Sequence, residues 1–333
     1  MKKLINDPRN VVQEALRGFG KAHADLVAVH QNPAYVTRAR PKALVASGKV
    51  ALVSGGGSGH EPLHAGFVGY GMLDAACPGQ VFTSPTPDQI AAAAAAVDDG
   101  AGVLFIVKNY AGDVMNFEMA AEDFGGQSAT VLIQDDVAVE SSTYSTSRRG
   151  VAGTLVVEKI VGAAAEAGAG LSACAALAER AAGACATMGV ALTSCTVPAA
   201  GKPTFELGAA EIELGVGIHG EQGRRRAPIA SADSIAAELI GSVAHELRPA
   251  RGEPLLLFVN GMGGTPLLEL YLTYEAAARR LEADGLTIAR SLVGSYVTSL
   301  EMAGCSLTLA RLDGELVHLW DAPVHTPALR WGR

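Results

Sequence analysis

Lys49-Val50-Ala51-Leu52-Val53-Ser54-Gly55-Gly56-Gly57-Ser58-Gly59-His60-Glu61-Pro62 is the stretch whose reading decides the fold. A short apolar run ends in glycines and then in a histidine. The run from Val50 to Ser54 reads as a buried strand, and the glycines as the loop beyond its carboxyl end. Two further runs of the same kind follow, Gly102-Val103-Leu104-Phe105-Ile106-Val107 and Ala129-Thr130-Val131-Leu132-Ile133. Between the first two, Thr86 offers a cap, Pro87 an early helical proline and Asp88 an acidic first turn, so a helix is expected from about Pro87 to Asp98. Strands alternating with helices imply right-handed crossovers and a largely parallel sheet. Ligands of such sheets bind beyond the strand ends. There the sequence places the Gly55 to His60 loop, the segment Lys108 to Asp113, and Asp135-Asp136.

Outward from this block, Val11, Val12, Ala15, Leu16 and Phe19 recur at helical spacing and predict an opening helix over Pro8 to His23. Residues Gly150 to Met188 read as helical, interrupted near Gly168-Ala169-Gly170. The pattern then changes. Val190 to Cys195 reads as a strand, Pro198 to Pro203 as a turn, and Thr204 to Leu207 with Ile212 to Val216 as a hairpin. A helix capped at Ser231 and running to Leu247, a strand over Pro254 to Val259, a helix to about Asp284 and two or three closing strands complete the chain. The expectation is an α/β protein of two α/β domains, residues 1–188 with a largely parallel sheet and residues 189–333 with a mixed or antiparallel one. The glycine loop would belong to the first domain and His219 to the second, with a site between them.

Bulk properties narrow the function. The chain is 49% hydrophobic, but its longest alanine-rich run, Ile90 to Val97, is too short to cross a bilayer. Asp7 and Pro8 interrupt the start before an apolar stretch forms, so no signal peptide is read and a cytoplasmic location is expected. A net charge of −8 argues against nucleic acid as a partner. The one basic run, Arg224-Arg225-Arg226, fits either a solvated surface or a contact with an anionic group. Five widely spaced cysteines, Cys77, Cys174, Cys185, Cys195 and Cys305, lack metal-ligand spacing and read as reduced core thiols. No metal site is expected.

The chemistry concentrates on two glycine-framed histidines. His219 stands in Gly215-Val216-Gly217-Ile218-His219-Gly220-Glu221-Gln222-Gly223 and His60 in the loop quoted above. Glycine allows a small ligand close to the ring, although a turn histidine that only hydrogen-bonds a carbonyl fits the local sequence as well. The first loop lacks the Lys-Ser/Thr ending of a P-loop and the spacing of a dinucleotide motif. What remains is a glycine cradle holding His60, with Lys108 and Asp113 at a neighbouring strand end. Asp113 suits a general base for a hydroxyl, with His60 orienting it or relaying the proton; a helix cap is the alternative reading. A neutral imidazole is also a nucleophile, so His219 could add to a ketone or aldehyde carbonyl. Glu61 reads as structural, and Asp135 and Asp136 fit turn residues as well as functional ones.

Along its whole length the chain resembles the substrate-binding subunits of dihydroxyacetone kinase, in the bacterial, phosphotransferase-linked form. The resemblance rests on SGGGSGHEP at 54–62, FTSPTPDQI at 82–90, VKNYAGDVMNFE at 107–118, DDVAV at 135–139, RRGVAGT at 148–154, TVPAAGKP at 196–203 and GVGIHGE at 215–221. Between Glu221 and Pro254 the chain is shorter than that form leads one to expect. The resemblance implies that His219 binds the carbonyl carbon of dihydroxyacetone as a hemiaminal through Nε2. It implies that Gly57, Ser58, Gly59, His60, Lys108 and Asp113 hold the substrate hydroxyls, with Asp113 and His60 assisting deprotonation. It further implies that this chain binds no cofactor. ATP or ADP with magnesium would sit on a separate helical kinase subunit, which a phosphohistidine protein recharges, and this chain would form a homodimer. The end at Arg333 leads us to expect that helical domain on another chain. Two variants of this reading are a kinase subunit for erythrulose or another short ketose, and a sensor that binds dihydroxyacetone without catalysis.

Overall fold

The computed structural model describes residues 2–39, 48–138, 147–221 and 223–332. The chain divides into two compact units, one of residues 2–133, 157–180 and 318–333, the other of residues 134–156 and 181–317. The border expected near residue 188 falls inside a strand, and the chain instead passes between units four times. The reason lies in the alanine-rich helices after residue 150 and in the last helix, both of which return chain to the first unit.

In the first unit, α1 (Val11–Ala22) precedes a hairpin of β1 (Val27–Gln31) and β2 (Ala34–Arg38). Then come β3 (Ala51–Ser58), β4 (Ala75–Val81), α2 (Pro87–Val97), β5 (Val103–Lys108), α3 (Ala111–Phe124) and β6 (Ser128–Ile133). The six strands form one sheet in the order β1-β2-β4-β3-β5-β6. β3 runs parallel to both β4 and β5, and β5 parallel to β6. β1 and β2 add an antiparallel edge. The expected largely parallel sheet is therefore found, and helix α2 starts where the sequence put it. Thr86 and Gln89 form a reciprocal capping box there, with a proline in the first turn. Every residue of β5 is buried, as a strand covered on both faces requires. Phe105 of that strand meets Phe117 of α3 edge-on at 5.7 Å between centroids, in a core shared with Val53, Ile90 and Val107.

β3 extends four residues past its expected end. Gly55, Gly56 and Gly57 are strand, paired with Cys77, Pro78 and Gly79 of β4, and all three are buried. Alternation on a crowded central strand explains the glycines: a Cβ on Gly55 would meet the Cys77 carbonyl at 2.7 Å, and one on Gly57 the Thr83 amide at 2.6 Å.

α4 (Gly153–Glu166) and α5 (Leu171–Gly183) occupy the helical stretch, broken where the glycines predicted. From Cys185 the chain is strand rather than helix: β7 (Cys185–Ala191), β8 (Glu211–Leu214), β9 (Arg225–Pro228), α6 (Ala232–Leu247), β10 (Pro254–Gly261), α7 (Leu267–Ala283), β11 (Thr287–Gly294) and β12 (Gly304–Arg311) build the second unit. The sheet order is β11-β10-β12-β7-β8-β9, with only β10 and β11 parallel. This is the mixed, mostly antiparallel sheet expected of the second half. α6 and α7 cover it with Leu239, Ile240, Val243, Ala277 and Leu281 against Leu255, Leu257, Val259, Leu307 and Leu309. Two details differ from expectation. β8 pairs with β9 and not with Thr204 to Leu207, so Arg225 and Arg226 of the basic run lie in an edge strand, where Arg226 meets Glu213 at 3.2 Å. The chain closes with a helix, α8 (Gly314–Asp321), before the short pair β13 (Val324–His325) and β14 (Arg330–Trp331). Among the described residues no helix is long and apolar enough to cross a membrane.

Candidate functional site

In the first unit the end of β3, the end of β5 and the first turn of α3 supply the predicted polar residues. Ser58 is the last residue of β3, and its hydroxyl donates to the Gly79 carbonyl at 2.7 Å. Gly59 takes φ +102°, a conformation that favours glycine. Its amide donates to the Glu61 carboxylate at 2.9 Å, which closes the turn. His60 follows, fully buried and stacked on Phe82 with centroids 5.1 Å apart and planes 16° from parallel.

Lys108, the last residue of β5, is fully buried. Its ammonium lies 3.7 Å from an Asp113 carboxylate oxygen, donates to the Gly55 carbonyl at 3.1 Å and to His64 Nε2 at 2.8 Å. Gly56 leaves room for it, because a Cβ there would overlap Lys108 Nζ. Asp113 sits in the first turn of α3, 2% exposed. Burial raises its pKa, while Lys108 and a hydrogen bond from Ser84 pull it back toward the charged form. Burial lowers the Lys108 pKa against the attraction of Asp113 and Glu158. The arrangement is a carboxylate beside a buried ammonium at a strand end, suited to accept a hydroxyl hydrogen.

Sequence reasoning missed the groups behind this pair. His64 and Glu158 of α4 are buried, with His64 Nδ1 at 2.7 Å from a Glu158 oxygen. The adjacent charges Glu158-Lys159 inside the otherwise apolar stretch Gly153 to Ala165 were the available signal.

Also in this unit is a cavity of about 410 Å³. Val12, Leu16 and Phe19 of α1 line one side of it, and Gly57, Pro62 and His64 the other. Gly57 and Ser58 are the predicted site residues on its wall; His60, Lys108 and Asp113 are not part of its lining.

His219 belongs to the second unit, in the connection from β8 to β9, and is half-buried. The hairpin is therefore wrapped around it rather than preceding it. Its amide donates to Glu221 Oε2 at 2.8 Å, and Glu221 Oε1 accepts from Arg149 at 3.0 Å. Arg149, 1% exposed, also pairs with Asp136 at 2.6 Å and donates to the Gly215 carbonyl at 2.8 Å. Gly215 and Gly220 hold φ of +77° and +70°. A side chain on Gly217 would strike the Glu221 carboxylate. Asp135 accepts from the amides of Val151 and Gly153 at 2.7 and 2.6 Å and from the Thr187 hydroxyl at 2.5 Å, contacts that tie three segments of the chain together. All five cysteines are buried and unpaired. Among the described residues no His, Cys, Asp and Glu cluster could hold a metal ion.

With this geometry in place, comparison with known proteins is decisive. The Dak1 domain matches residues 17–328. The chain belongs to the Dak1 family. It is 51% identical, over the full length of both proteins, to the PEP-dependent dihydroxyacetone kinase, dihydroxyacetone-binding subunit DhaK, of Escherichia coli K12. It is 50% identical to the dihydroxyacetone-binding subunit DhaK of PTS-dependent dihydroxyacetone kinase 1 of Listeria innocua, covering 98% of this chain and 100% of that protein. Among solved structures it is similar to the dihydroxyacetone kinase operon co-activator Dha-DhaQ, with TM-score 0.88, 33% identity, and 95% of this chain and 97% of that one covered. The resemblance read from the sequence motifs is thus borne out, as is the fold class.

Proposed function

We propose that this Dak1 protein is the dihydroxyacetone-binding subunit of a phosphotransferase-linked kinase, acting in the cytoplasm on the terminal hydroxyl of a short ketose. The observation that carries the reading is the full-length identity of 51% to a protein of that name, in a chain that keeps Lys108 and Asp113 paired and buried at the end of β5.

In this reading His219 Nε2 adds to the ketone carbon of dihydroxyacetone. A C–N bond forms, the carbonyl electron pair moves to oxygen, and that oxygen takes up a proton as the ring loses one from Nδ1, leaving a neutral hemiaminal. Only a carbonyl compound can be captured so, and glycerol is rejected. Gly57, Ser58, Gly59, His60, Lys108 and Asp113 hold the hydroxyls, and the Lys108 ammonium stands 3.7 Å from the Asp113 carboxylate. Asp113 accepts the proton of the attacking hydroxyl, with His60 assisting. ATP held with magnesium on a separate helical subunit would supply its γ-phosphoryl group to the hydroxyl and would be left as ADP, which a phosphohistidine protein would rephosphorylate, and dihydroxyacetone phosphate would leave. This chain binds no cofactor itself; it contributes positioning, which makes the transfer effectively unimolecular. The subunit works as a homodimer.

A second reading is favoured by one observation, the TM-score of 0.88 to an operon co-activator. A sensor needs carbonyl capture but no general base. The identity of 33% to that protein against 51% to the kinase subunit, together with the Lys108–Asp113 pair, supports catalysis.

The test is the intact mass of the native chain after incubation with dihydroxyacetone, erythrulose or glycerol, beside His219→Ala. One triose per chain, absent in the variant and with glycerol, is expected. No adduct with any short ketose overturns covalent capture, and an adduct with erythrulose alone moves the substrate.

A further inference from the structure

The proposed chemistry uses Lys108 and Asp113 but leaves two buried ionisable groups unexplained. Glu158 of α4 is fully buried, one of its oxygens meets His64, and the other, Oε2, has no hydrogen-bond partner. An isolated carboxyl so far from water is costly unless something holds it there. His64, 5% exposed, lies between that carboxyl and the Lys108 ammonium, at 2.7 Å and 2.8 Å.

The ring's tautomer follows from its neighbours. A lysine ammonium has donors only, so His64 Nε2 must accept from it. The ring proton then sits on Nδ1 and is donated to Glu158, with the Ser54 oxygen 3.0 Å away as a second acceptor. Ser54 is free to accept because its own proton goes to the Ile106 carbonyl at 2.6 Å. Every hydrogen bond runs in one direction, from Lys108 through the imidazole to Glu158. The ammonium's other two protons face the Gly55 carbonyl and Asp113. Gly56 lacks a side chain above it, and that absence leaves room for the ammonium.

We propose that His64 and Glu158 are positioning residues of the hydroxyl-binding half of the site: they orient Lys108, and through Lys108 they hold Asp113 in place for the ketose hydroxyl. The inference rests on the function proposed above, and it differs from a purely structural role in what it predicts. A structural pair would tolerate any replacement that keeps the fold. A positioning pair requires an acceptor facing Lys108 and a donor facing Glu158.

Two measurements decide it. In the first, ¹⁵N-histidine-labelled wild-type protein is examined by long-range ¹H–¹⁵N correlation, with His64→Gln used for assignment. His64 should be neutral and protonated on Nδ1 at neutral pH. An imidazolium or an Nε2–H tautomer overturns the proposal, and this readout does not depend on any ketose. In the second, dihydroxyacetone binding is measured by calorimetry on the intact chain. His64→Leu should weaken it at least tenfold, and His64→Gln, whose amide offers an acceptor and a donor in the same order, should recover at least half of that loss on a logarithmic scale. Should His64→Leu fail to fold, Glu158→Leu against Glu158→Gln makes the same comparison. Equal binding by the apolar and the amide variants, in folded protein, overturns the proposal. If the wild type itself binds no short ketose, the proposed function fails while the tautomer result still stands or falls alone.

Discussion

Arg148 and Arg149 are chain neighbours whose replacement should have very different consequences. The Arg149 side chain is 1% exposed and spends its guanidinium on Asp136 at 2.6 Å, Glu221 at 3.0 Å and the Gly215 carbonyl at 2.8 Å. Arg148 meets Glu246 at 2.7 Å, but both side chains are about a third exposed. Arg149→Met keeps most of the volume and strands the Asp136 carboxyl, 2% exposed, without its counter-charge. Removing one partner of a buried pair costs about 3–5 kcal/mol. Arg148→Met removes only a solvated pair, worth under about 1 kcal/mol. The assay is chemical denaturation of both variants and the wild type across pH. Burial already pushes the Asp136 pKa up to about 6, with Arg149 the chief force pulling it down, so losing Arg149 raises it further. A carboxyl whose folded pKa lies above its unfolded value near 3.8 binds its proton more tightly in the folded state. Stability then rises as pH falls through that folded value. The Arg149→Met deficit should therefore be largest near pH 8 and narrow toward pH 5.5. A deficit no larger than that of Arg148→Met, or one that widens on acidification, would refute the reasoning.

Three other outcomes follow from the same geometry. Asp113→Asn should lower phosphoryl transfer roughly 10²–10⁴-fold, measured with the ATP-loaded partner subunit, while one triose per chain still attaches to His219 by intact mass. Gly56→Ala places a methyl on the Lys108 ammonium and should destabilise the fold by about 1–3 kcal/mol and weaken ketose binding, read by thermal melting and calorimetry. All five thiols are buried, and burial raises the pKa of each. A thiol-reactive disulfide should accordingly find almost no fast site in native protein and all five cysteines in denaturant.

The parallel sheet was legible because β3, β5 and β6 begin as apolar runs with a capped helix between the first two; the central β3 and β5 are buried throughout, whereas β6 at the edge alternates and still reads as apolar. The second unit was less legible. β9 is Arg225-Arg226-Ala227-Pro228, and nothing in its composition announces a strand; it is one because it lies at the sheet edge, where charged side chains and a proline are tolerated. The segment Thr204 to Leu207 offered a better alternation and is not strand. β7 was hidden differently, since Cys185-Ala186-Thr187-Met188 continues an alanine-rich helix without a break in composition, and only its pairing with β12 decides its conformation. The candidate groups of the proposed chemistry stood out in the sequence because histidines among glycines and an acid after a strand are rare settings. Their supports could not. Glu158 looks like one charge on one helix until the fold brings it beside His64, ninety-four residues earlier in the chain.

The glycines of the two loops raise a physical problem that the sequence also answers. Glycine lets a ligand approach, but it gives the folded loop little to hold it in one conformation. In each loop a glutamate close behind the histidine removes that freedom. Glu61 accepts from the Gly59 amide at 2.9 Å, and Glu221 accepts from the His219 amide at 2.8 Å. In both, the carboxylate captures the backbone amide two residues before it, so the tie is local and forms with the turn. The second tie has a further anchor, since Glu221 is itself gripped by the buried Arg149, while burial raises the Glu61 pKa and backbone amides oppose it. That difference matches the demands of the two rings. His60 is clamped by stacking on Phe82 and needs little from its loop. His219 is half-exposed, and under the proposed carbonyl capture its backbone needs fixing from behind so that one nitrogen faces the ketone carbon. The extra anchor therefore falls on the histidine for which the more exacting chemistry is proposed, and the Gly-His-Gly-Glu order at 217–221, broken only by Ile218, pairs small neighbours of the ring with the carboxylate that ties its backbone.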